Sequence, residues 1–427
     1  MFSSYSRLDL NIVVGPETPD HLYTTLSGPN HLPILIDYSS RPNGPLRGVT
    51  ASALWRMSVA LVHRYRVREI SFGGWVIDFL HKFISAASNY DFPALESLAL
   101  CCPGHSYLNI PATFLVGPDQ PDLPLRRLRL DGCSLRNLSG LLLSARALTD
   151  LTLNIPSNGS VFNPPQETIL LQCLQGMQCL RSLDLALTKQ YGFTNRETQY
   201  SIPNNDIVPL LKLTRFHYNG HTTFVNNLIP RLSAPSLQDI YFCLCTRSPF
   251  LYFSRVIDDL REEFRSISVN LDCGFLHFLS SAQSGKIDHF KPSFSFTVNY
   301  SSLSAVNSTP STKLSMAEDL ALKFSCEEAD QAADIWEGYF PLREFLRQFR
   351  RVRVLRVNPF TSAQELAPYL QQDGGRPIFP LLEEIELSDE VYQRCAAEAV
   401  AAFETFASAR AGRGRATRSR SVKVYRS

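Results

Sequence analysis

The stretch Leu125-Arg-Arg-Leu128-Arg-Leu130-Asp-Gly-Cys133-Ser-Leu135 constrains this chain more than any other. It fits L-x-x-L-x-L-x-x-[N/C]-x-L at every specified position, the pattern of a short strand running into a tight turn. Leu128 and Leu130 stand two apart and share one strand face, while Arg127 and Arg129 take the other. Leu125 joins the leucine side from the incoming loop. Cys133 turns the chain beneath it, because a thiol is small and tolerates burial. A unit this short leaves its apolar side open unless similar units lie against it.

Similar units recur. The L-x-x-L-x-L frame returns at Leu95–Leu98–Leu100, Leu148–Leu151–Leu153 and Leu180–Leu183–Leu185. Weaker copies stand at Val67–Ile70–Phe72, Leu213–Phe216–Tyr218 and Leu237–Ile240–Phe242, and later ones at Val352–Leu355–Val357 and Leu382–Ile385–Leu387. Successive starts within these runs lie 23 to 33 residues apart, near the period of about 20–29 typical of leucine-rich repeats. One copy arises by chance in any leucine-rich chain, but a near-regular series does not. The expectation is an α/β leucine-rich-repeat solenoid, with a curved parallel β-sheet on the concave face and helices and loops on the convex face. At this period 427 residues hold about twelve to fourteen repeats.

Composition narrows the class. Hydrophobic residues make up 44%, enough for an ordered core. The net charge of +2 argues neither for nor against a polyanionic partner. No apolar run is long enough to span a bilayer, and Met1–Pro16 is not a signal peptide. The ten cysteines are scattered, as reduced thiols of the cytoplasm or nucleus are. On that reading the N-x-[ST] sites at Asn137, Asn158, Asn299 and Asn307 stay unglycosylated.

Along the chain, residues 1–66 form an N-terminal cap and first irregular repeats, with strands at Leu8–Val14 and Leu32–Tyr38 and a helix over Val49–Arg66. Regular repeats fill 67–242. Their helices are Trp75–Ala87 and Glu167–Met177, Asn137–Ser144 is a short convex segment, and Lys189–Asp206 is a polar loop. Degenerate repeats fill 243–350, with rungs at Phe264–Ile267–Val269, at Phe294, Phe296 and Val298, and at Leu320, Leu322 and Phe324. Ser301–Ser315 reads as a surface loop, and Glu327–Arg347 as a helix broken at Pro341. C-terminal repeats and a helix at Glu390–Ala409 occupy 351–409. A basic tail or cap, 410–427, contains one last strand at Val422–Tyr425.

The strand entries have a family look. Phe92-Pro-Ala-Leu-Glu-Ser-Leu98, Ala234-Pro-Ser-Leu237 and Phe379-Pro-Leu-Leu-Glu-Glu-Ile385, with Leu125–Cys133 between them, resemble the leucine-rich-repeat region of the F-box proteins of mushroom-forming fungi. The Leu32-Pro-Ile-Leu-Ile-Asp37 segment is similar to the stretch that follows the F-box there. The resemblance covers most of residues 30–425. It implies the substrate-recognition subunit of an SCF-type ubiquitin ligase. In that family a three-helix F-box precedes the repeats and docks the ligase adaptor. Here strand-like sequence follows Met1 almost at once, so an adaptor partner is expected only if an F-box is present upstream.

Motifs that perform chemistry are missing from the sequence. Cys243-Leu-Cys245 and Cys101-Cys102 have no second ligand pair at zinc spacing. There is no H-E-x-x-H, no phosphate-binding glycine loop and no G-x-S-x-G elbow. No metal, cofactor or catalytic residue is therefore expected. The tail arginines Arg410, Arg413, Arg415, Arg418 and Arg420, with Lys423 and Arg426, could bind phosphates, but few aromatic rings accompany them for base stacking. Nucleic acid is thus the weaker alternative.

What remains is the outward strand face. Its candidates for protein binding are Arg127, Arg129, Asp150, Asp184, Arg215, His217, Asp239, Tyr241, Arg356, Glu384 and Glu386. With strands about 4.8 Å apart, they form two rows along the sheet. Mixed charge with a tyrosine and a histidine suits non-covalent capture of a protein segment. The same face would equally serve a stand-alone scaffold with no ligase link.

Overall fold

The computed structural model describes residues 12–15, 32–38, 51–73, 77–88, 90–102, 110–111, 114–115, 123–132, 135–156, 165–188, 207–220, 222–244, 253–260, 266–272, 275–281, 294–299, 311–324, 345–357, 378–387, 401, 403–406 and 423–426. The chain divides into two compact units, Met1–Leu213 and Thr214–Ser427, and the boundary falls inside the expected 67–242 run. Both units are α/β and built mainly on parallel strands.

In the first unit seven strands lie side by side in chain order, all parallel. They are β1 (Ile12–Val14), β2 (Ile34–Tyr38), β3 (Val67–Gly73), β4 (Ser97–Cys101), β5 (Arg127–Asp131), β6 (Asp150–Pro156) and β7 (Ser182–Thr188). Among the described residues four helices lie in the connections: α1 (Ala51–Val62), α2 (Ile77–Ala87), α3 (Leu135–Ser144) and α4 (Pro165–Gly176). Parallel neighbours need such crossovers, because a tight turn can only reverse a strand. In α3 the buried Leu138, Leu141 and Leu142 stand at helical spacing and make one apolar stripe. Pro165 opens α4, where its missing N–H costs nothing.

Why each rung forms is visible at its entry. The amide of Leu95 donates to Phe92 O, Leu148 to Ala145 O, Leu180 to Met177 O, Leu213 to Leu210 O, and Leu382 to Phe379 O. Each turn has a buried apolar residue at both ends. The full unit is therefore Φ-x-x-Φ-x-x-Φ-x-Φ, where Φ is apolar, one apolar position longer than the sequence frame. Phe349–Val352–Leu355–Val357 and Leu314–Ala317–Leu320–Leu322 follow the same spacing, all buried. A second ladder ties rung to rung just ahead of the strands. Glu96 N donates to Arg68 O, Arg126 N to Glu96 O, Thr149 N to Arg126 O, and Arg181 N to Thr149 O. Gly132, after β5, has φ 81°, a left-handed value that suits glycine; Cys133 lies outside the described residues.

The leucine side of the first unit is its core. Leu98, Leu100, Leu128, Leu130, Leu151, Leu153, Leu183 and Leu185 are at most 2% exposed. Each such side chain stabilises the fold by about 1.5–3 kcal/mol relative to exposure. Toward β2 and β3 the leucines give way to rings. Tyr38 stacks on Phe72 at 5.2 Å between centroids, and Phe79 and Phe83 of α2 pack on Phe72 at 5.7 and 4.5 Å.

The second unit holds β8 (Arg215–Gly220), α5 (Thr222–Leu228), β9 (Asp239–Leu244), α6 (Phe253–Asp259), β10 (Ser266–Asp272), β11 (Phe275–Ser281), β12 (Phe294–Asn299), β13 (Asp319–Phe324), β14 (Val354–Val357), β15 (Glu384–Leu387) and β16 (Lys423–Arg426). Its strand order departs from expectation. The expected rungs at Ile267, at Phe296 and at Leu322 all form strands, but β12 rather than β10 pairs with β9. An antiparallel strand, β11, then separates β12 from β10, and β10 pairs in parallel with β13. Two residues join β10 to β11, too short for a crossover, so the chain must reverse there.

Ser301–Ser315 also needs correction at its end: Ser311 is buried. Asp258 of α6 accepts from Ser311 Oγ at 2.8 Å, Thr312 Oγ1 at 3.0 Å, Lys313 N at 3.1 Å and Thr312 N at 3.3 Å. This pins the entry of β13 to the helix that precedes its neighbour β10. At the far end β16 pairs with β15, Glu384 opposite Lys423, so Lys423–Arg426 of the basic tail lie in the sheet. The loop expected at Lys189–Asp206, most of the helices expected at Glu327–Arg347 and Glu390–Ala409, and Arg410–Arg420 lie outside the described residues.

Candidate functional site

Alternation sends every second side chain of a strand away from the leucines, and the register decides which of them line up. In the first unit Glu69, Ser97, Arg127, Asp150 and Ser182 are successive partners across β3–β7, and Ser71, Ala99, Arg129, Thr152 and Asp184 form the row beside them. In the second unit Arg215 faces Asp239 and His217 faces Tyr241. Asp319, Val354 and Glu384 make one further row, and Ala321, Arg356 and Glu386 another.

The rows are not uniformly open. Arg127 Nη2 reaches past β4 to Glu69 Oε2 at 3.4 Å, and Ser97, between them in register, is buried. Arg129 lies against Cys101 and Asp131. Burial raises the Cys101 thiol pKa, with Arg129 opposing. Burial likewise raises the Asp131 carboxyl, against a hydrogen bond from Asn154 and the charge of Arg129. Asp150 accepts from Thr149 Oγ1 at 2.7 Å. Asp184 is half-buried and has no hydrogen-bond or ion-pair partner among the described residues.

The second unit brings four candidates together. Asp239 Oδ2 takes His217 Nε2 at 3.0 Å and Arg215 Nε at 3.2 Å. The His217 hydrogen bond, chiefly, holds the Asp239 carboxyl below its ordinary pKa, with Arg215 adding to it against partial burial. Tyr241 tilts against His217 at 5.6 Å between ring centroids. Burial, and then Cys243, raises its phenol pKa. A His–Asp pair is half of a hydrolytic relay, but among the described residues no hydroxyl or thiol hydrogen-bonds to His217.

Arg356 is where the structure parts from the expected open face. Its Nε meets Glu386 Oε2 at 2.7 Å and its Nη1 meets Asp319 Oδ2 at 3.6 Å, and its side chain is only 13% exposed. It is therefore tied up in an internal ion triad rather than held out to a partner. Glu384 stays half-buried beside this triad. Asp319 and Glu69, the acids that occupy Arg356 and Arg127, were not among the sequence candidates. Their positions in the rows were legible from alternation, but which acid each arginine chooses was not.

Among the described residues no helix is long and apolar enough to cross a membrane, and no group of three or more His, Cys, Asp or Glu could hold a metal ion. No protein-family model matches the chain, and no curated protein is recognisably similar to it.

Proposed function

We propose that the chain is a leucine-rich-repeat solenoid that binds a protein partner, without covalent chemistry, on the strand face opposite its leucines. One observation carries this reading: the unbroken two-row register across β3–β7, with leucines on one side and mixed polar and charged residues on the other. Parallel rungs that bury one face against helices leave the other for recognition. Point variants test it. A partner recovered from native extract with the wild-type chain should be lost with Thr152→Trp, at the centre of the face. It should be kept with Leu143→Ser, at an exposed position on α3. Equal recovery with both variants would refute the face as the binding surface.

The strand entries at Phe92–Leu98 and Phe379–Ile385 favour a narrower reading, in which the partner is a substrate handed to an SCF-type ubiquitin ligase. This rests on the family resemblance. Co-purification of the native transcript's product with the ligase adaptor tests it, and no association would leave the stand-alone scaffold.

A further inference from the structure

The charges on the face of the first unit are unevenly spread: β5 carries two arginines with the half-buried Asp131 after them, and β6 and β7 carry acids alone. Arg127 and Arg129 stand on β5, and Asp150 and Asp184 on β6 and β7. Arg127 leans toward Glu69 on β3 and so turns from Asp150, its register partner. Asp150 is left with the Thr149 hydroxyl, and Asp184 with no partner among the described residues. Asp150 is exposed and Asp184 half-buried. They are diagonal neighbours on adjacent strands, a relation that places side chains about 7–8 Å apart. One ammonium or guanidinium group seated between them would reach both carboxylates.

Extending the partner reading above, we propose that this face takes an extended segment running across β5–β7. The segment bears an acidic residue over Arg127 and Arg129 and, two positions on, a lysine or arginine between Asp150 and Asp184. The spacing follows from geometry. The midpoint of β6 and β7 lies about 7 Å from β5, at about 4.8 Å per strand. Residues two apart in an extended chain point the same way and stand about 6.6 Å apart. Complementary charge fixes register and suppresses wrong partners. Either chain direction satisfies the pairing, so the charge spacing rather than the order is selected.

The experiment is selection of a phage-displayed library of random linear peptides on the immobilised full chain. The double variant Asp150→Asn with Asp184→Asn and the blocking variant Thr152→Trp serve as counter-targets. The expected result is enrichment of acid-x-base or base-x-acid peptides. Their affinity should fall about tenfold or more on the double variant, as the loss of a well-placed charge pair would give. Replacing the peptide's basic residue by glutamine should then change nothing further on that variant. Peptides that lose binding on Thr152→Trp but not on the double variant overturn the charge inference while leaving the face a binding surface. Peptides indifferent to Thr152→Trp, or no enrichment, overturn the inference together with the reading it extends.

Discussion

Arg127 forms its ion pair with Glu69, two strands away on β3, and leaves Asp150, its register partner on β6, to the hydroxyl of Thr149. The pair is solvent-exposed, so it orients the arginine more than it stabilises the fold. Glu69→Gln should lower stability by less than about 1 kcal/mol. It should also release Arg127 toward Asp150 and weaken any ligand that depends on Asp150. Urea unfolding and peptide affinity, measured on the same variant, separate the two effects.

The inward and outward assignments predict opposite costs for neighbouring residues. Leu151→Ala and Leu183→Ala should each destabilise by about 2–5 kcal/mol, the cost of a cavity in a packed core. Thr152→Ala, the next residue after Leu151 on β6 but on the other face, should stay within about 0.5 kcal/mol. Chemical denaturation of the three variants checks this, and comparable losses at Thr152 would place it in the core.

Asp258 should matter more than a surface acid normally does, because it alone accepts four hydrogen bonds from the entry of β13. Asp258→Ala should cost about 1–3 kcal/mol through the donors left unpaired. It should also speed amide exchange at Thr312 and Lys313. Unchanged exchange at those two amides would show that the anchor is dispensable.

A depressed carboxyl pKa links stability to pH with a definite sign. Asp239 is held below its ordinary value, mainly by the His217 hydrogen bond. Its contribution is thus fully present above the unfolded carboxyl pKa of about 3.9 and is lost as pH falls through the lower folded value. Wild type should exceed Asp239→Asn in urea midpoint at neutral pH, and the gap should close below about pH 4. A gap that persists under strong acid would contradict the assignment.

Burial pushes the Cys173 thiol up to about 12, so at neutral pH almost none of it is thiolate. Iodoacetamide should leave Cys173 unmodified in the folded protein and label it fully in urea, read by peptide mass spectrometry. Rapid native labelling would mean that α4 does not bury it.

Much of this architecture was legible in the spacing of leucines. Leu98, Leu128, Leu151 and Leu183 each predicted a rung, and the two outward positions beside them fell into register as expected. The reversal at β10–β12 was not read, because alternation is the same in parallel and antiparallel strands. The signal available was the two-residue spacer before Phe275. Nor could spacing tell that Arg356 would be enclosed by Asp319 and Glu386. The choice of ion-pair partner depends on side-chain reach across a finished sheet. The turn residues Phe92, Ala145 and Met177 were in plain view, three positions ahead of each first leucine.

The register of the first unit is what every functional statement rests on, and the distance from Ser71 to Asp184 measures it most directly. Spin labels attached through genetically encoded side chains at these two positions, read by pulsed dipolar spectroscopy, span four strand steps. Side-by-side parallel rungs predict one population centred at about 19 Å between backbones, four times about 4.8 Å, broadened by the label linkers. A centre well beyond that, or two separate populations, would contradict the stacked rungs and the binding face built on them.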